Sequence, residues 1–143
     1  MLRATNDTNV WVSAINWPHG KPRRLFDLLR SHVVYAHVTS LEILFEITRV
    51  LRDYFGYSDE DAYAWYREIG GLSEVVRPVK RLNVVKNDPT DNKFIECAVA
   101  GRCDFVVSGD RHLLDLEQHA DILIIPVAEF LDRVIGERTS PGN

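Results

Sequence analysis

Asp88-Pro89-Thr90-Asp91, a helical run that ends at Gly101, and then Phe105-Val106-Val107-Ser108-Gly109-Asp110 form the stretch on which the fold turns. Asp88 reads as an N-cap with Pro89 at the first helical position, which makes Asp91 the third helical residue. Phe105 to Ser108 reads as a short strand buried on both faces, and Arg111 opens a short helix after it. A helix feeding an apolar strand that feeds another helix is the repeating unit of a parallel sheet.

The same alternation extends in both directions. A first strand ends near Asp7 and a helix starts at Asn9, covering Val10 to Ile15 before Trp17-Pro18-His19-Gly20 breaks it. Pro22 opens a helix through Leu29, and Val33 to Val38 reads as the second strand. Thr39-Ser40 caps a helix whose apolar face is Leu41, Leu44, Phe45, Thr48 and Leu51. Ser58 opens another helix, closed by Gly70-Gly71. Glu74 to Val76 is a short strand and Val79 to Val85 an extended connector. Ile122 to Ile125 is the last strand, and Pro126 opens the last helix, with Phe130, Leu131, Val134 and Ile135 inward. This is an α/β layer fold with a mainly parallel sheet. Ligands in such folds bind beyond the carboxyl ends of the strands.

Length and charge bound the function. The 143 residues make one domain, expected over 1–138 with a flexible tail at 139–143. No apolar run approaches the roughly 20 residues of a membrane span, and the polar start, Met1 to Asn9, has no signal-peptide pattern. Cys97 and Cys103 lack zinc spacing and read as reduced, buried thiols of a cytoplasmic protein. The net charge of −4 argues against a protein that coats nucleic acid. It is compatible with a metal-dependent nuclease, whose carboxylates count against the total until cations bind.

Four carboxylates stand where the topology could bring them together. Asp7 follows the first strand, Asp110 follows the fourth, Asp91 begins the helix before it, and Glu46 lies in the second turn after the second strand. Acids sharing a pocket repel one another unless a cation intervenes, and hard oxygen ligands suit Mg²⁺ or Mn²⁺. Each acid also has a purely structural reading: Asp91 as a helix-start residue, Asp110 as a cap, Glu46 as the partner of Arg49 on a solvated face, Asp7 as a turn former.

The motifs Asp7-Thr8-Asn9-Val10, Ser40-Leu41-Glu42-Ile43-Leu44-Phe45-Glu46, Asp88-Pro89-Thr90-Asp91-Asn92-Lys93-Phe94, Val107-Ser108-Gly109-Asp110 and Ile125-Pro126 resemble, in order and spacing, those of PIN-domain nucleases, and within them the prokaryotic VapC-like toxins. The resemblance covers nearly the whole chain. It implies a three-layer α/β/α fold around a five-stranded parallel sheet of order 3-2-1-4-5, which makes strands one and four neighbours. It further implies a site of Asp7, Glu46, Asp91 and Asp110, with Glu42 the alternative to Glu46, and with Asn9 and Ser108 as supporting polar groups. One departure stands out. The first strand, Arg3-Ala4-Thr5-Asn6, is small and polar where a central strand is usually apolar.

On this reading the acids hold Mg²⁺ or Mn²⁺ for hydrolysis of RNA, and Arg23, Arg24, Lys93 and Arg111, with Lys21 and Lys86 nearby, are the candidate RNA contacts. Tyr63, Trp65 and Tyr66 are expected to pack in the core. The family implies a cognate antitoxin and a homodimer, and no membrane. A phosphatase with a nucleophilic Asp would want a second Asp at position 9, where Asn9 stands, and a phospho-acceptor receiver domain is weakened for a similar reason. A PIN-like scaffold that binds RNA or protein without cutting is the non-enzymatic alternative.

Overall fold

The polar first strand lies at the centre of the sheet. In the computed structural model, which describes residues 1–32 and 34–139, β1 (Arg3–Asn6) pairs in parallel with β2 (Ala36–Ser40) on one side and β4 (Phe105–Val107) on the other. Most of its side-chain polar atoms are paired internally, the exception among the described residues being Asn6 Oδ1, which is buried without a hydrogen-bond partner. Asn6 Nδ2 donates to the Tyr35 hydroxyl at 3.2 Å, and the Cys97 thiol reaches Thr5 Oγ1 at 3.7 Å. Arg3 Nε and Nη2 donate to the Gly101 carbonyl at 3.0 and 2.7 Å. Burying a polar group costs little once it finds a partner, and these bonds let small polar residues occupy a central strand here.

The other strands extend outward from β1. β3 (Ser73–Val76) lies beyond β2, β6 (Ile122–Ile125) lies beyond β4, and these five strands are all parallel. Their order is the expected 3-2-1-4-5, with β6 as the fifth parallel strand. A two-residue antiparallel strand, β5 (Gln118–His119), extends that edge and makes the sheet six-stranded.

Helices cover both faces. α1 (Thr8–Asn16), α2 (Lys21–His32) and α7 (Val127–Thr139) lie on one side. There Trp11 meets His37 edge-on at 4.9 Å and Phe130 meets Tyr35 at 5.0 Å. α5 (Asn92–Ala100) packs on the opposite face against β1, β2 and β4. α3 (Leu41–Phe55) and α4 (Asp59–Gly71) form a hairpin that leads from β2 to β3. Ser40 and Ser58 cap these two helices by accepting the N–H of Ile43 and of Asp61. Gly56, at φ 71°, ends α3 in the left-handed conformation that favours glycine.

Several expected boundaries move. The second strand begins at Ala36, where Ala36 N–H bonds the Leu2 carbonyl at 2.8 Å, and it runs on to Ser40. Val33, its expected start, lies outside the described residues. The buried face of α3 is Ile43, Leu44, Ile47 and Leu51, while Leu41 and Phe45 are 42% and 58% exposed. Asp88 does not cap a helix. A 3-10 turn, Pro89–Asp91, comes first, and α5 begins at Asn92. α7 continues through Thr139, and the rest of the expected tail, 140–143, lies outside the described residues.

The connector before the 3-10 turn is held by side chains of α5 rather than by a sheet. Asn92 Oδ1 accepts from the N–H of Val84 and of Val85, both at 2.9 Å, and Glu96 Oε2 accepts from Leu82 N–H at 2.8 Å. Of the aromatic trio on α4, Trp65 faces the core against Phe26. Tyr66 also packs against the core, while Tyr63 is exposed and stacks on Tyr66, beside Phe45.

Candidate active site at the carboxyl edge of the sheet

Parallel pairing of β1 and β4 brings Asp7 and Asp110 to the same edge. Asp7 N–H continues the ladder to the Val107 carbonyl at 2.9 Å, and its side chain then caps α1 by accepting Val10 N–H at 2.9 Å. The other oxygen, Oδ2, accepts the Ser108 hydroxyl. Ser108 Oγ in turn accepts Asp110 N–H at 2.9 Å, and Asp110 Oδ1 caps the short helix α6 (Arg111–Leu114) through His112 N–H at 2.7 Å. Asp110 is therefore the cap its structural reading expected, Asp7 caps a helix where a turn was expected, and neither cap uses all the capacity of its carboxylate.

Asp7 is 2% exposed, and burial pushes its carboxyl up to about 6. The bonds from Ser108 and Val10 N–H pull it back down, and the charge of Asp110 adds to the rise. Asp91, at the end of the 3-10 turn, is 8% exposed. Burial first, then its contact with Asp110 and the charge of Asp88, hold its carboxyl far above the ordinary carboxylate range, while Lys93 opposes the shift. Its Oδ2 is buried without a hydrogen-bond partner.

Asp88, Asp91 and Asp110 each offer an oxygen, and these lie within 4.8 Å of one another. Hard carboxylate oxygens crowded to this degree, on residues that include Asp91 with its buried, unpaired Oδ2, fit a divalent ion such as Mg²⁺ or Mn²⁺. Sequence reasoning passed over Asp88 by giving it to a helix cap. Its Oδ1 accepts from the Thr90 hydroxyl at 2.6 Å instead. The signal was present in the three-residue spacing to Asp91, which a tight turn can place on one side.

Other expected residues fall elsewhere. Glu46 lies near the acids with both oxygens engaged: Oε1 accepts the Thr8 hydroxyl, and Oε2 accepts Lys93 Nζ at 2.6 Å. Arg49, its expected partner, is at 3.7 Å. Glu42 is turned to Arg81 at 3.5 Å. Asn9 is exposed, and its side chain has no hydrogen-bond partner among the described residues. Arg23 is occupied with the Ala14 carbonyl at 3.0 Å and Asp27 at 3.6 Å. Arg24 is exposed, and Arg111 is exposed with Asp115 at 3.8 Å. Cys97 and Cys103 are buried and free, with burial pushing both thiols up to about 12.

A family model described as a PIN domain matches residues 3–112. The uncharacterized protein MJ1680 of Methanocaldococcus jannaschii is 30% identical over 129 residues, which cover 87% of this chain and 81% of that relative. Among solved structures, a chain of VapBC2 from Rickettsia felis, bound to a DNA fragment from their promoter, superposes with a TM-score of 0.61 at 12% identity. That match covers 87% of this chain and 98% of the other. PAE2754 from Pyrobaculum aerophilum gives 0.61 at 14% identity, covering 95% and 98%. At these identities the two structural likenesses speak for the fold.

Proposed function

Because the chain belongs to the PIN-domain family, a family of nucleases, we propose that it is a metal-dependent endoribonuclease that hydrolyses RNA phosphodiester bonds. The observation that carries the metal dependence is the buried, unpartnered Oδ2 of Asp91 within the Asp88, Asp91 and Asp110 group. Bound Mg²⁺ or Mn²⁺ would acidify the attacking water and take up negative charge on the phosphate in the transition state.

The protein's part is to hold that chemistry in place. Asp91 and Asp110 supply oxygens from two different elements, and Asp88 adds a third. Asp7 stands beside Asp110 with its carboxylate oriented by Ser108. The buried position of Asp7 and Asp91 keeps their geometry fixed, as preorganised electrostatic catalysis requires. Arg24 is exposed, as is Arg111 with its surface partner Asp115, and both can meet phosphates of the RNA backbone.

The likeness to a chain of VapBC2 supports a further reading of biological role. The chain would be the toxin of a toxin–antitoxin pair, acting in the cytoplasm as a homodimer and silenced by a cognate antitoxin. No helix among the described residues is long and apolar enough to cross a membrane.

Asp7→Asn tests the enzymatic proposal. The variant should fold, keep its α1 cap through the amide oxygen, and lose Mn²⁺-dependent cleavage of single-stranded RNA by at least about a hundredfold. Undiminished cleavage would sink the assignment. Binding of RNA by the wild type without any cleavage would favour the scaffold instead.

A further inference from the structure

Among the described cations near the acidic edge, Lys93 is the buried one, with its side chain 7% exposed. Arg49, Arg81 and Arg111 are 61%, 79% and 89% exposed by the same measure. An ammonium has three N–H donors. One of them reaches Glu46 Oε2 at 2.6 Å and another the Thr90 carbonyl at 2.5 Å. The third has no acceptor among the described residues.

Glu46 is equally committed. Lys93 takes one oxygen and the Thr8 hydroxyl the other. It is absent from the group of acids whose oxygens converge within 4.8 Å. Lys93 and Glu46 both line an open groove of about 1030 Å³, along with Thr90, Pro89, Arg49 and Arg81. A buried ion pair seldom adds net stability, because desolvating the two charges costs about as much as their attraction returns. A lysine immobilised at two points on the wall of a groove, with one donor spare, is placed to meet an anionic oxygen.

Building on the nuclease reading above, we propose that Glu46 is the anchor of Lys93 rather than a metal ligand, and that Lys93 donates its spare N–H to a phosphate oxygen of the nucleic acid in this groove. Thr8 completes the anchor by fixing the second oxygen of Glu46. The metal-facing set is then Asp88, Asp91 and Asp110, with Asp7 beside Asp110. Lys93 fixes the register of the strand against that set, a task a freely rotating surface lysine performs poorly.

Two titrations separate the roles. Mn²⁺ is titrated calorimetrically into wild type, Glu46→Gln and Asp91→Asn. Glu46→Gln should leave the Mn²⁺ Kd within about threefold, whereas Asp91→Asn should weaken it by more than about tenfold. KM and kcat are then measured on a fluorescein-labelled oligouridylate. Lys93→Met and Glu46→Gln should each raise KM by about tenfold or more, the size of one charge-assisted hydrogen bond, with kcat changed less. The double variant should be no worse than either single one, and Lys93→Arg should recover part of the loss.

A Glu46→Gln protein that loses Mn²⁺ as severely as Asp91→Asn would overturn the anchor role. An unchanged KM in Lys93→Met would overturn the phosphate contact. If Glu46→Gln fails to fold because Lys93 is left unpaired, the double variant Glu46→Gln/Lys93→Met carries the Mn²⁺ measurement. A wild type that binds Mn²⁺ but cleaves no RNA defeats the nuclease reading alone. The Lys93 comparison is then read from fluorescence polarisation of the same oligonucleotide.

Discussion

The hydroxyl of Ser108 donates to Asp7 Oδ2, and its oxygen receives the Asp110 N–H at 2.9 Å, so one serine joins the acids that end β1 and β4. A bond from Ser108 to the charged form of Asp7 opposes the rise that burial imposes. Ser108→Ala should therefore raise the Asp7 carboxyl above its value of about 6 by about one further unit. The acidic limb of the pH–rate profile should move up by the same amount, with activity recovering at higher pH. An acidic limb that stays in place would show that Ser108 does not tune Asp7.

Asp110→Asn should separate stability from function. Asp110 raises the carboxyls of both Asp7 and Asp91, and it caps α6 through an oxygen that asparagine also offers. Removing its charge relieves repulsion among buried acids without removing the cap. The metal-free variant should melt a few degrees above wild type and gain little or nothing from added Mn²⁺, while wild type gains in proportion to its occupancy. Scanning calorimetry with and without Mn²⁺ reads both effects, and a lowered melting temperature in the metal-free variant would refute the repulsion argument.

The parts of this site that were legible in the sequence are those set by topology. Asp7 and Asp110 follow the first and fourth strands, which the strand order implied by the family resemblance makes neighbours. Asp88 was less legible because a 3-10 turn and an α-helical N-terminus share the same Asp-Pro signature, while only the turn leaves the Asp88 side chain out of a cap. Strand β5 gave no signal for two reasons. Two residues carry no period, and its flanking turn uses Glu117 at φ 63° and Ala120 at φ 52°, where glycine or asparagine would have marked the left-handed conformation. The exposure of Leu41 and Phe45 was hidden because α3 has apolar residues on more than one face. Periodicity cannot choose which of those faces meets the sheet.

His37 should make the fold sensitive to acid. The Ser73 hydroxyl donates to the Ile69 carbonyl at 2.6 Å, so its oxygen takes a proton from His37 Nδ1 at 2.7 Å. His37 Nε2 accepts from Asn6 N–H at 3.2 Å and from the Trp11 indole N–H at 3.3 Å. Protonating Nε2 breaks both bonds, and burial lowers the imidazole to about 3. A histidine lowered in the folded state binds its proton more readily when unfolded. Its contribution is therefore complete above about 6.5 and is lost as pH falls from there toward about 3. Asp7 and Asp91, raised in the folded state, act in the opposite sense and gain stability as pH falls. The contribution of His37 is isolated by comparing denaturant midpoints of wild type and His37→Gln. The advantage of wild type should shrink by roughly 1.4 kcal/mol per pH unit below about 6.5. A constant difference between the two proteins would mean that His37 is not the group that titrates.

Gly101, the C-cap of α5, sits close against Val38 of β2, and it offers a test of the scaffold apart from the chemistry. A Cβ at this position would lie 3.3 Å from Val38 Cβ, a tight contact, and 2.4 Å from Val38 Cγ1, closer than carbon atoms can approach. Its backbone, at φ −89°, is one that alanine adopts easily, so any cost comes from the contact and not from strain in the chain. The same residue gives its carbonyl to Arg3, so pushing it away would also disturb the pairing that lets a polar strand sit at the centre. Gly101→Ala should destabilise the protein by about 1–3 kcal/mol, as overpacking in a closed interior does. Val38→Ala alone should also cost stability by leaving a void. The double variant Gly101→Ala/Val38→Ala should be more stable than the sum of the two losses predicts, because each change makes room for the other. Mn²⁺ affinity should stay at the wild-type value in every variant that folds, since the acids are anchored at the other end of α5 and at the edge of β1 and β4. Additive losses in urea denaturation would place the cost of the alanine somewhere other than the contact with Val38.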